Sequence, residues 1–397
     1  MMDSKKTKEY ERAHIREWHW LTSLPGIGSK KIAALTKAVE NVGDLYSLAA
    51  DVGADRAGEY IGRIYASSGI RYADRDIQIL LDERLKEKLS IEYEKLLSSD
   101  VKLVSVDSEE YPKRLRDIFE VPYILYYKGS LPDSGRKTAA IVGARACSEY
   151  GRIMAKEIAK QLAVRDVQIV SGFARGIDTA SHNGCLSVSG GRTFAVFGSG
   201  VNYCYPPENR FTYDEIIANG GGIISEYPPD MKPSSGFFPM RNRIISGLAD
   251  VVIVVEADEK SGSLITADHA LEQGRIVMAV PGRVSDRLSA GCNRLIRQGA
   301  AIVSCMEDIF FELGITVSEE QKIDVLQRNK QNIMNFSQIK LAKPEKMLYS
   351  QLDFNPQSVD DLIRKSGLTS EEVSGGLVKL ELAGLAYRRG GLYVRGE

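Results

Sequence analysis

Seven short runs of mostly apolar residues recur between Thr138 and Leu313, and most of them are followed by a segment with helical spacing. The runs are TAAIVG, VQIVSG, TFAVFG, GIISE, DVVIVVEA, RIVMAVPG and AAIVS. Most are continuously apolar rather than alternating, which is typical of parallel strands that helices cover on both faces. Because repeated strand–helix units cross over with a right-handed turn, this pattern predicts a doubly wound, mostly parallel sheet of the α/β class.

The rest of the chain divides by pattern into flanking regions. A length of 397 residues suits two to four domains of roughly 100–200 residues each. Apolar residues at three- and four-residue spacings predict helices at Ala33–Val39, Asp55–Ser67 and Ile77–Leu97. We expect an N-terminal helical domain at 1–100, an extended Rossmann-like domain at 101–315 with a lead-in connector at 101–137, a polar linker at 316–345 and a winged-helix domain at 346–397.

Charge, cysteines and hydropathy narrow the class of protein. The formal net charge is −1, so any nucleic-acid site must be a local one. The five cysteines lack CxxC or Cys/His spacing, which predicts reduced thiols and no metal site. No signal peptide is evident, and no run approaches the ~20 apolar residues of a membrane span. We therefore expect a cytoplasmic protein that does not enter a membrane.

The loops that follow the strands carry the residues most suited to binding. In an open parallel sheet, ligands bind outside the carboxyl ends of the strands, where helix N-termini present unpaired amides. Glycines let the backbone approach a phosphate, guanidinium groups clamp it, and aromatic rings stack on bases. The candidates are Gly143, Arg145, Ser171, Gly172, Phe173, Arg175, Gly198, Ser199, Gly200, Phe238, Arg241, Asn242 and Arg243.

Several such loops along one edge would hold several phosphates in a row, which suits a polymer better than a single nucleotide. The alternative is that the glycines only make tight strand–helix turns and the phenylalanines close the hydrophobic core.

Nucleotide cofactors are disfavoured. The segment VGARACSEYG lacks GxGxxG and places Arg145 where a pyrophosphate needs a small residue. The second strand ends in SGFARG without an acidic residue for a ribose, and GxxxxGK[ST] is absent. We expect neither NAD nor ATP, and no other cofactor.

Catalysis is disfavoured on similar grounds. Asp178 and His182 lie four residues apart near Ser171 and Ser181, but no nucleophile elbow of the GxSxG type exists. Glu256 ends a strand and has the chemistry of a base, although accepting hydrogen bonds from neighbouring loops explains it better. We expect no catalytic residues.

A set of motifs resembles the DNA-processing protein A (DprA/Smf) family in both sequence and order. They are SGFARGIDTASHNGCL, GSGVNYCYPPENR, ISEYPP, FPMRNRIISGLADVVIVVEA, SGSLITADHALEQGR, AVPG and GCNRLIRQGA, and the similarity spans about Val101–Met306. The resemblance implies a homodimer that binds single-stranded DNA without sequence preference. It also implies a role in natural transformation and DNA recombination, protecting incoming strands and loading the RecA recombinase onto them.

The same resemblance assigns DNA contacts to residues of this chain. They are Arg145, the loops Gly172–Arg175 and Gly198–Gly200, and Arg241 and Arg243. This sequence departs from some relatives at Tyr203, where a lysine often stands. The resemblance therefore leaves two alternatives at this position: a phosphate contact is lost, or the tyrosine ring stacks on a base instead.

The two flanking domains carry weaker DNA-binding signals. LPGIGSKKIAAL, residues 24–35, fits a helix–hairpin–helix (SAM-like) module whose GIG amides and Lys30 or Lys31 meet a phosphate, although short helix turns of this kind also occur without DNA. In the C-terminal domain, VDDLIRKSG and EEVSGGLVKLELAGL predict helices, and YRRGGLYVR predicts a hairpin wing.

The second of those helices is acidic where a DNA-reading helix should be basic, at Glu371 and Glu372. This favours a protein-contacting or weakly DNA-contacting module. Arg388 and Arg389 in the wing keep DNA contact open.

Two further possibilities remain. One is a nucleotide-cleaving phosphoribohydrolase-like enzyme on a related sheet, although its PGGxGTxxE motif is absent. The other concerns the dimer: Ile244–Leu248 or Leu264–Leu271 suits a hydrophobic dimer patch, and each is equally explained as a buried helix face.

Overall fold

A computed structural model describes residues 14–316, 341–353, 356–383, 385–389 and 391–395. Most of the expected linker, residues 317–340, lies outside the described residues, as does the side chain of Arg389. The described strands are β1 Lys102–Ser105, β2 Ile124–Gly129, β3 Thr138–Val142, β4 Gln168–Ser171, β5 Thr193–Val196, β6 Gly222–Ser225, β7 Val251–Val254, β8 Ile276–Ala279, β9 Ala301–Ile302, β10 Ala386–Arg389 and β11 Leu392–Arg395.

The first nine of these strands form one sheet in the order β1-β2-β6-β5-β4-β3-β7-β8-β9. The two strands of the connector, β1 and β2, are antiparallel, whereas all pairings from β6 to β9 are parallel. The strand order reverses between β3 and β7. The predicted doubly wound, mostly parallel sheet is therefore confirmed, and β1 and β2 extend it at one edge.

Helices follow the parallel strands, as the alternating pattern predicts. The central strands are covered on both faces, since every residue of β3, β4, β5, β6 and β7 is buried. The helices of this region are α7 Glu149–Val164, α8 Ile177–Leu186, α9 Arg210–Ala218, α10 Phe237–Leu248, α11 Ser263–Glu272, α12 Ala290–Arg297 and α13 Met306–Glu312.

The N-terminal region is helical, as expected, but its helix boundaries differ. Helices cover α1 (14–23), α2 Ser29–Lys37, α3 Val42–Val52, α4 Ala54–Ser67, α5 Asp74–Leu81 and α6 Glu83–Leu97. The single helix predicted over Ile77–Leu97 is wrong. Asp82 ends α5, and its carboxylate accepts hydrogen bonds from the amides of Arg84 (3.0 Å) and Leu85 (3.2 Å). Aspartate is among the best helix N-caps, so it starts a second helix here.

The N-terminal helices and the sheet share one hydrophobic cluster. Leu21 and Trp20 belong to the same buried cluster as Tyr126 of β2 and Ile223 of β6. His19 is buried there with its Nδ1 2.7 Å from the Tyr126 hydroxyl, and burial lowers the pKa of His19 to about 4. Residues 14–145 and 155–304 belong to one compact unit. The boundary at residue 100 stays a prediction.

The C-terminal region has the helices and hairpin of a winged helix. It contains α14 Lys343–Gln351, α15 Val359–Ser366 and α16 Ser370–Leu382, followed by the antiparallel pair β10–β11. Leu348, Leu362 and Leu377 are fully buried in its core. Ser358 and Thr369 cap α15 and α16 with reciprocal hydrogen bonds, which explains why this short segment divides into two helices.

One of the two candidate dimer patches is wrong. Every residue of Ile244–Leu248 is buried within the protomer, because helix α10 packs its apolar side chains into the main core. In the second patch, Leu264 and Ala267 are buried, whereas Ile265 and Leu271 are exposed. Helices long and apolar enough to cross a membrane are not found in the described part of the chain.

Candidate nucleic-acid interface

Side chains from three strand-end loops and from the start of α10 meet at the carboxyl edge of the sheet. The guanidinium carbon of Arg145, after β3, lies 5.3 Å from the ring centroid of Phe238 in α10. The ring of Tyr205, after β5, lies 5.9 Å from that of Phe238. We use the name carboxyl-edge surface for this group together with the adjacent loop residues, namely Arg145, Arg175, Tyr203, Tyr205 and Phe238.

The exposed side chains of this surface are cationic and aromatic. Arg145 and Arg175 are exposed, and Tyr203 and Tyr205 are 40% and 39% exposed. Phe238 is half-buried, with one edge against Gly198. A guanidinium group beside aromatic rings offers a phosphate a hydrogen-bonding cation and offers a base a face to stack on.

Arg175 is the second exposed arginine, and it has an acidic partner. Its Nε donates to the Glu208 carboxylate, which lies in the loop after β5. That hydrogen bond lowers the pKa of Glu208, so the carboxylate stays ionised near neutral pH. Asn209 joins the same two loops, since its side-chain amide donates to the Phe173 carbonyl at 3.2 Å. A phosphate at Arg175 would therefore compete with Glu208 for the guanidinium charge.

Arg241 does not face solvent, contrary to its predicted role as a phosphate clamp. It is 3% exposed, and its guanidinium donates to the carbonyl oxygens of Gly172 (2.6 Å) and Val196. These carbonyls belong to the ends of β4 and β5. Arg241 therefore ties two strand-end loops to helix α10 from below the surface.

Asp178 accompanies Arg241 in this buried position. Its carboxylate accepts a hydrogen bond from the Ala174 amide at 3.3 Å. A Cβ added to Gly172 would lie 2.7 Å from both the Asp178 carboxylate and the Arg241 guanidinium, so this close approach requires glycine. Burial raises the pKa of Asp178 to about 6, and the nearby Arg241 charge opposes that shift without cancelling it.

Arg243 is also buried, which is a second correction. Its guanidinium donates to both carboxylate oxygens of Glu226, at 2.8 and 2.6 Å, and its Nε donates to the Glu120 carbonyl at 2.8 Å. A paired and buried guanidinium has no free donor directed to a phosphate. The neighbouring Asn242 is buried as well, and its side-chain amide donates to the Gly262 carbonyl at 3.2 Å.

Protein atoms lie close to two glycines of the predicted phosphate cradle, Gly143 and Gly200, whereas the cradle as a whole stays a prediction. A Cβ at Gly200 would overlap the carbonyl oxygens of Pro228 and Pro229, and its amide donates to the Met231 carbonyl at 2.8 Å. A Cβ at Gly143 would lie 2.6 Å from the side chain of Ile177. These glycines allow tight packing of loops, as the alternative interpretation holds.

The other residues predicted to contact DNA in these loops also bond or pack within the protein. Ser171 is buried, and its hydroxyl donates to the Ile141 carbonyl at 2.6 Å. The Ser199 hydroxyl donates to the Tyr203 carbonyl at 3.3 Å. Phe173 is fully buried, with its ring 5.1 Å from that of Phe197, so it closes the core and offers no face to a base.

The catalytic candidates hold structural positions. His182 is fully buried with its Nδ1 2.7 Å from the Thr193 hydroxyl, and burial lowers its pKa to about 3. The Ser181 hydroxyl donates to the Asp178 backbone carbonyl at 2.7 Å. These hydrogen bonds direct the serine and the histidine to structural partners, so they do not form a nucleophile–base pair.

Part of the turn in the predicted N-terminal helix–hairpin–helix module is exposed to solvent. Gly26 has a left-handed backbone (φ 80°) in the turn between α1 and α2, and Gly28 and Lys30 are exposed. Lys31 instead pairs with Asp76 at 2.7 Å. A phosphate would have to compete with Asp76 for Lys31, whereas Lys30 is not part of that ion pair.

Sequence reasoning missed Tyr205 and Glu208. Both lie in the loop after β5, which carries two prolines between them. Prolines stiffen a loop and help it to hold side chains at a surface. The two prolines were therefore a sequence signal for Tyr205, the aromatic residue directly before them. Glu208 had no local signal, since its pairing with Arg175 joins residues 33 positions apart.

Comparisons with known proteins agree with this architecture. Residues 102–314 match the family model of DNA recombination-mediator protein A, and residues 335–391 match the DprA winged helix domain. The chain is 42% identical over 224 residues to DNA processing protein DprA of Streptococcus pneumoniae, covering 56% of this chain and 77% of that protein. It is 37% identical over 293 residues to protein Smf of Escherichia coli, covering 74% and 77%.

A solved structure extends the match to three dimensions. DprA from Streptococcus pneumoniae superimposes with a TM-score of 0.60 at 34% identity, covering 75% of this chain and 97% of that one. Proteins of this family are DNA-binding processing proteins and are not enzymes, which removes the phosphoribohydrolase alternative. The family model that spans the sheet, the winged-helix match and the coverage of both relatives together show that the chain belongs to the DNA-processing protein A (DprA/Smf) family.

Proposed function

We propose that the chain binds single-stranded DNA without sequence preference at the carboxyl-edge surface, and that no covalent bond is made or broken there. The observation that carries the proposal is the contiguous group of Arg145, Phe238 and Tyr205. Ring faces accept any base, and a guanidinium contacts the backbone phosphate that every nucleotide has. Such a surface binds a strand regardless of its sequence.

The buried residues have a supporting role in this proposal. Arg241 and Arg243 fix the loops that present the exposed side chains, and they do not touch DNA. Arg175 supplies a second phosphate contact in competition with Glu208. Tyr203 supplies a ring in the position where relatives often carry a lysine.

The role in the cell is a further part of the proposal. We propose a cytoplasmic homodimer that protects incoming single strands during natural transformation and loads RecA onto them. Support comes from family membership, since the matching model describes a DNA recombination mediator. The rate at which RecA filaments form on single-stranded DNA, with and without the protein, measures the loading step.

The binding test compares a labelled oligothymidylate with a duplex of equal length by fluorescence anisotropy. Single strands should bind more tightly, because duplex bases are stacked and unavailable to the rings. The logarithm of the affinity should fall with the logarithm of salt concentration by about 0.7 per phosphate neutralised. Equal affinity for both forms would contradict the proposal.

Arg145→Ala should weaken binding of the single strand about tenfold, the value of one charged hydrogen bond, and should reduce the salt slope by about 0.7. The matched control is Arg297→Ala, an exposed arginine in the last turn of α12. Helix α12 follows β8 and runs away from the carboxyl edge, so this variant should bind as the wild type does. Unchanged binding by Arg145→Ala would count against the assigned surface.

A further inference from the structure

An exposed carboxylate pairs with one of the two arginines of the carboxyl-edge surface. Arg175 Nε donates to the Glu208 carboxylate, and the two side chains are 57% and 48% exposed. An exposed guanidinium is solvated, and an exposed ion pair adds little to stability. The position of the pair is therefore more informative than its contribution to folding.

The pair lies at one end of a continuous row of side chains. The guanidinium carbon of Arg145 lies 5.3 Å from the ring centroid of Phe238, and the Tyr205 ring lies 5.9 Å from that same ring. The Tyr205 phenol is in turn close enough to Arg175 for the two groups to interact electrostatically. A strand that is held at Arg145 and follows this row reaches Arg175, where it meets the Glu208 carboxylate.

The backbone that carries Glu208 is fixed beside Arg175 without help from the ion pair. The buried Asn209 side-chain amide donates to the Phe173 carbonyl at 3.2 Å and to the Thr179 hydroxyl at 2.7 Å. These hydrogen bonds attach the residue after Glu208 to the loop that carries Arg175 and to the helix that follows it. The ion pair can therefore open by rotation of two exposed side chains, with both loops left in place.

We propose that Glu208 is an internal competitor for phosphate: its carboxylate occupies Arg175 in the free protein and gives way to the backbone of a strand already held at Arg145. This inference rests on the proposed function and adds to it a residue that limits affinity. Because the exposed pair is weak, a phosphate tethered nearby, and so present at a high local concentration, replaces the carboxylate. When the phosphate contact opens, Glu208 returns to Arg175 and promotes release of the strand.

The first test measures binding of Glu208→Gln, in the full chain, to an oligothymidylate of about 20 nucleotides, which is longer than a typical single-strand site. The variant should bind about two- to fivefold more tightly, the contribution of one exposed ion pair, and mainly through slower dissociation. The salt slope should become steeper by about 0.7. In the wild type the displaced carboxylate takes up a cation and cancels the counterion that one phosphate releases, whereas glutamine takes up none.

A second variant shows whether the effect passes through Arg175. In the Arg175→Ala background, Glu208→Gln should lose most of its gain in affinity and should not steepen the salt slope, because the two residues act as a pair. An equal gain in both backgrounds would overturn the inference, since general repulsion between the carboxylate and DNA would then explain it.

The matched control is Asp166→Asn, which removes the acidic partner of Arg136. Asp166 precedes β4 and so lies at the amino edge of the sheet, opposite the carboxyl-edge surface. This substitution changes the net charge by the same amount as Glu208→Gln and should leave binding unchanged. A similar gain in affinity in both variants would overturn the inference, because net charge would account for it.

The inference and the proposed function fail in different ways. Equal affinity and equal salt slope of Glu208→Gln and the wild type would overturn the inference alone, provided that the wild type binds single strands and Arg145→Ala weakens that binding. If the wild type does not bind single strands, the proposed function fails as well.

Discussion

Arginine side chains at the carboxyl edge differ in what surrounds them, and this difference determines what they do. Arg145 and Arg175 are exposed, whereas Arg241 and Arg243 are buried and bonded to protein oxygens. A buried guanidinium must have its donors satisfied, since an unpaired buried charge is strongly destabilising. In this protein loop carbonyls and the Glu226 carboxylate bond the Arg243 guanidinium, and two loop carbonyls bond Arg241 Nη1, whereas Arg241 Nε is buried without a hydrogen-bond partner. Both arginines therefore order the surface from beneath.

Asp178 makes a pH-dependent contribution that can be measured. Its pKa is raised to about 6 in the folded protein, against roughly 3.9 in an unfolded chain. The folded state therefore binds the proton more tightly, and stability falls as pH rises from about 4 to 6. The difference in unfolding free energy between the wild type and Asp178→Asn should decrease over that range, by up to about 3 kcal/mol, and level off above pH 7.

Urea unfolding at pH 4, 5, 6 and 7 measures this difference, and the Asn variant supplies the reference because its side chain does not titrate. A difference that increases with pH would mean that the Arg241 charge exceeds the effect of burial.

At the scale of elements, each strand-end loop keeps its path through close contacts with the next loop. Gly200 packs against the carbonyls of Pro228 and Pro229, and its amide donates to Met231. The loop after β5 is thereby attached to the loop after β6. Since Tyr203 and Tyr205 lie in the former, the position of their rings depends on a contact that only glycine allows.

Gly200→Ala should displace the loop after β5, because the added methyl group would overlap two backbone oxygens. We expect a loss of roughly 1–3 kcal/mol of unfolding free energy, typical of overpacking, together with weaker DNA binding. The matched control is Gly236→Ala, since a Cβ there meets no atom within 4 Å. Thermal unfolding and oligothymidylate binding report the two effects, and equal behaviour of both variants would contradict this account of the loop.

At the scale of the whole molecule, the N-terminal helices and the sheet are not separated by a layer of solvent. Leu21 of α1 is fully buried in the cluster that includes Tyr126 and Ile223 of the sheet. Trp18 reinforces the contact, because its indole donates to Asp107 at 2.6 Å and its ring stacks on Tyr123 at 5.0 Å. A shared core couples the stability of both parts.

Leu21→Ala should lower the unfolding free energy by about 2–5 kcal/mol, as for a leucine truncated in a packed core. Because the core is shared, amides of β2 and β6 should lose hydrogen-exchange protection together with amides of α2–α6. Exchange followed by mass spectrometry measures both. Loss of protection confined to residues before 100 would show that the helices form an independent domain, as the sequence predicts.

The sequence by itself determined the class and order of the elements and the family. Continuous apolar runs separated by helical segments specify buried parallel strands, and these signals are local in the chain. For the same reason, Arg145 and Arg175 were found from their place after a strand, because the carboxyl ends of parallel strands must meet at one edge.

Only the tertiary structure decided which of these residues face solvent. Arg241 and Arg145 have the same side chain and both belong to the carboxyl edge, but the carbonyls and carboxylate that bury Arg241 come from β4, β5 and α8. The same is true of Arg243, whose guanidinium donates to the carbonyl of Glu120, 123 residues away. Burial and pairing arise from contacts between distant segments, and no local pattern in a single sequence encodes them.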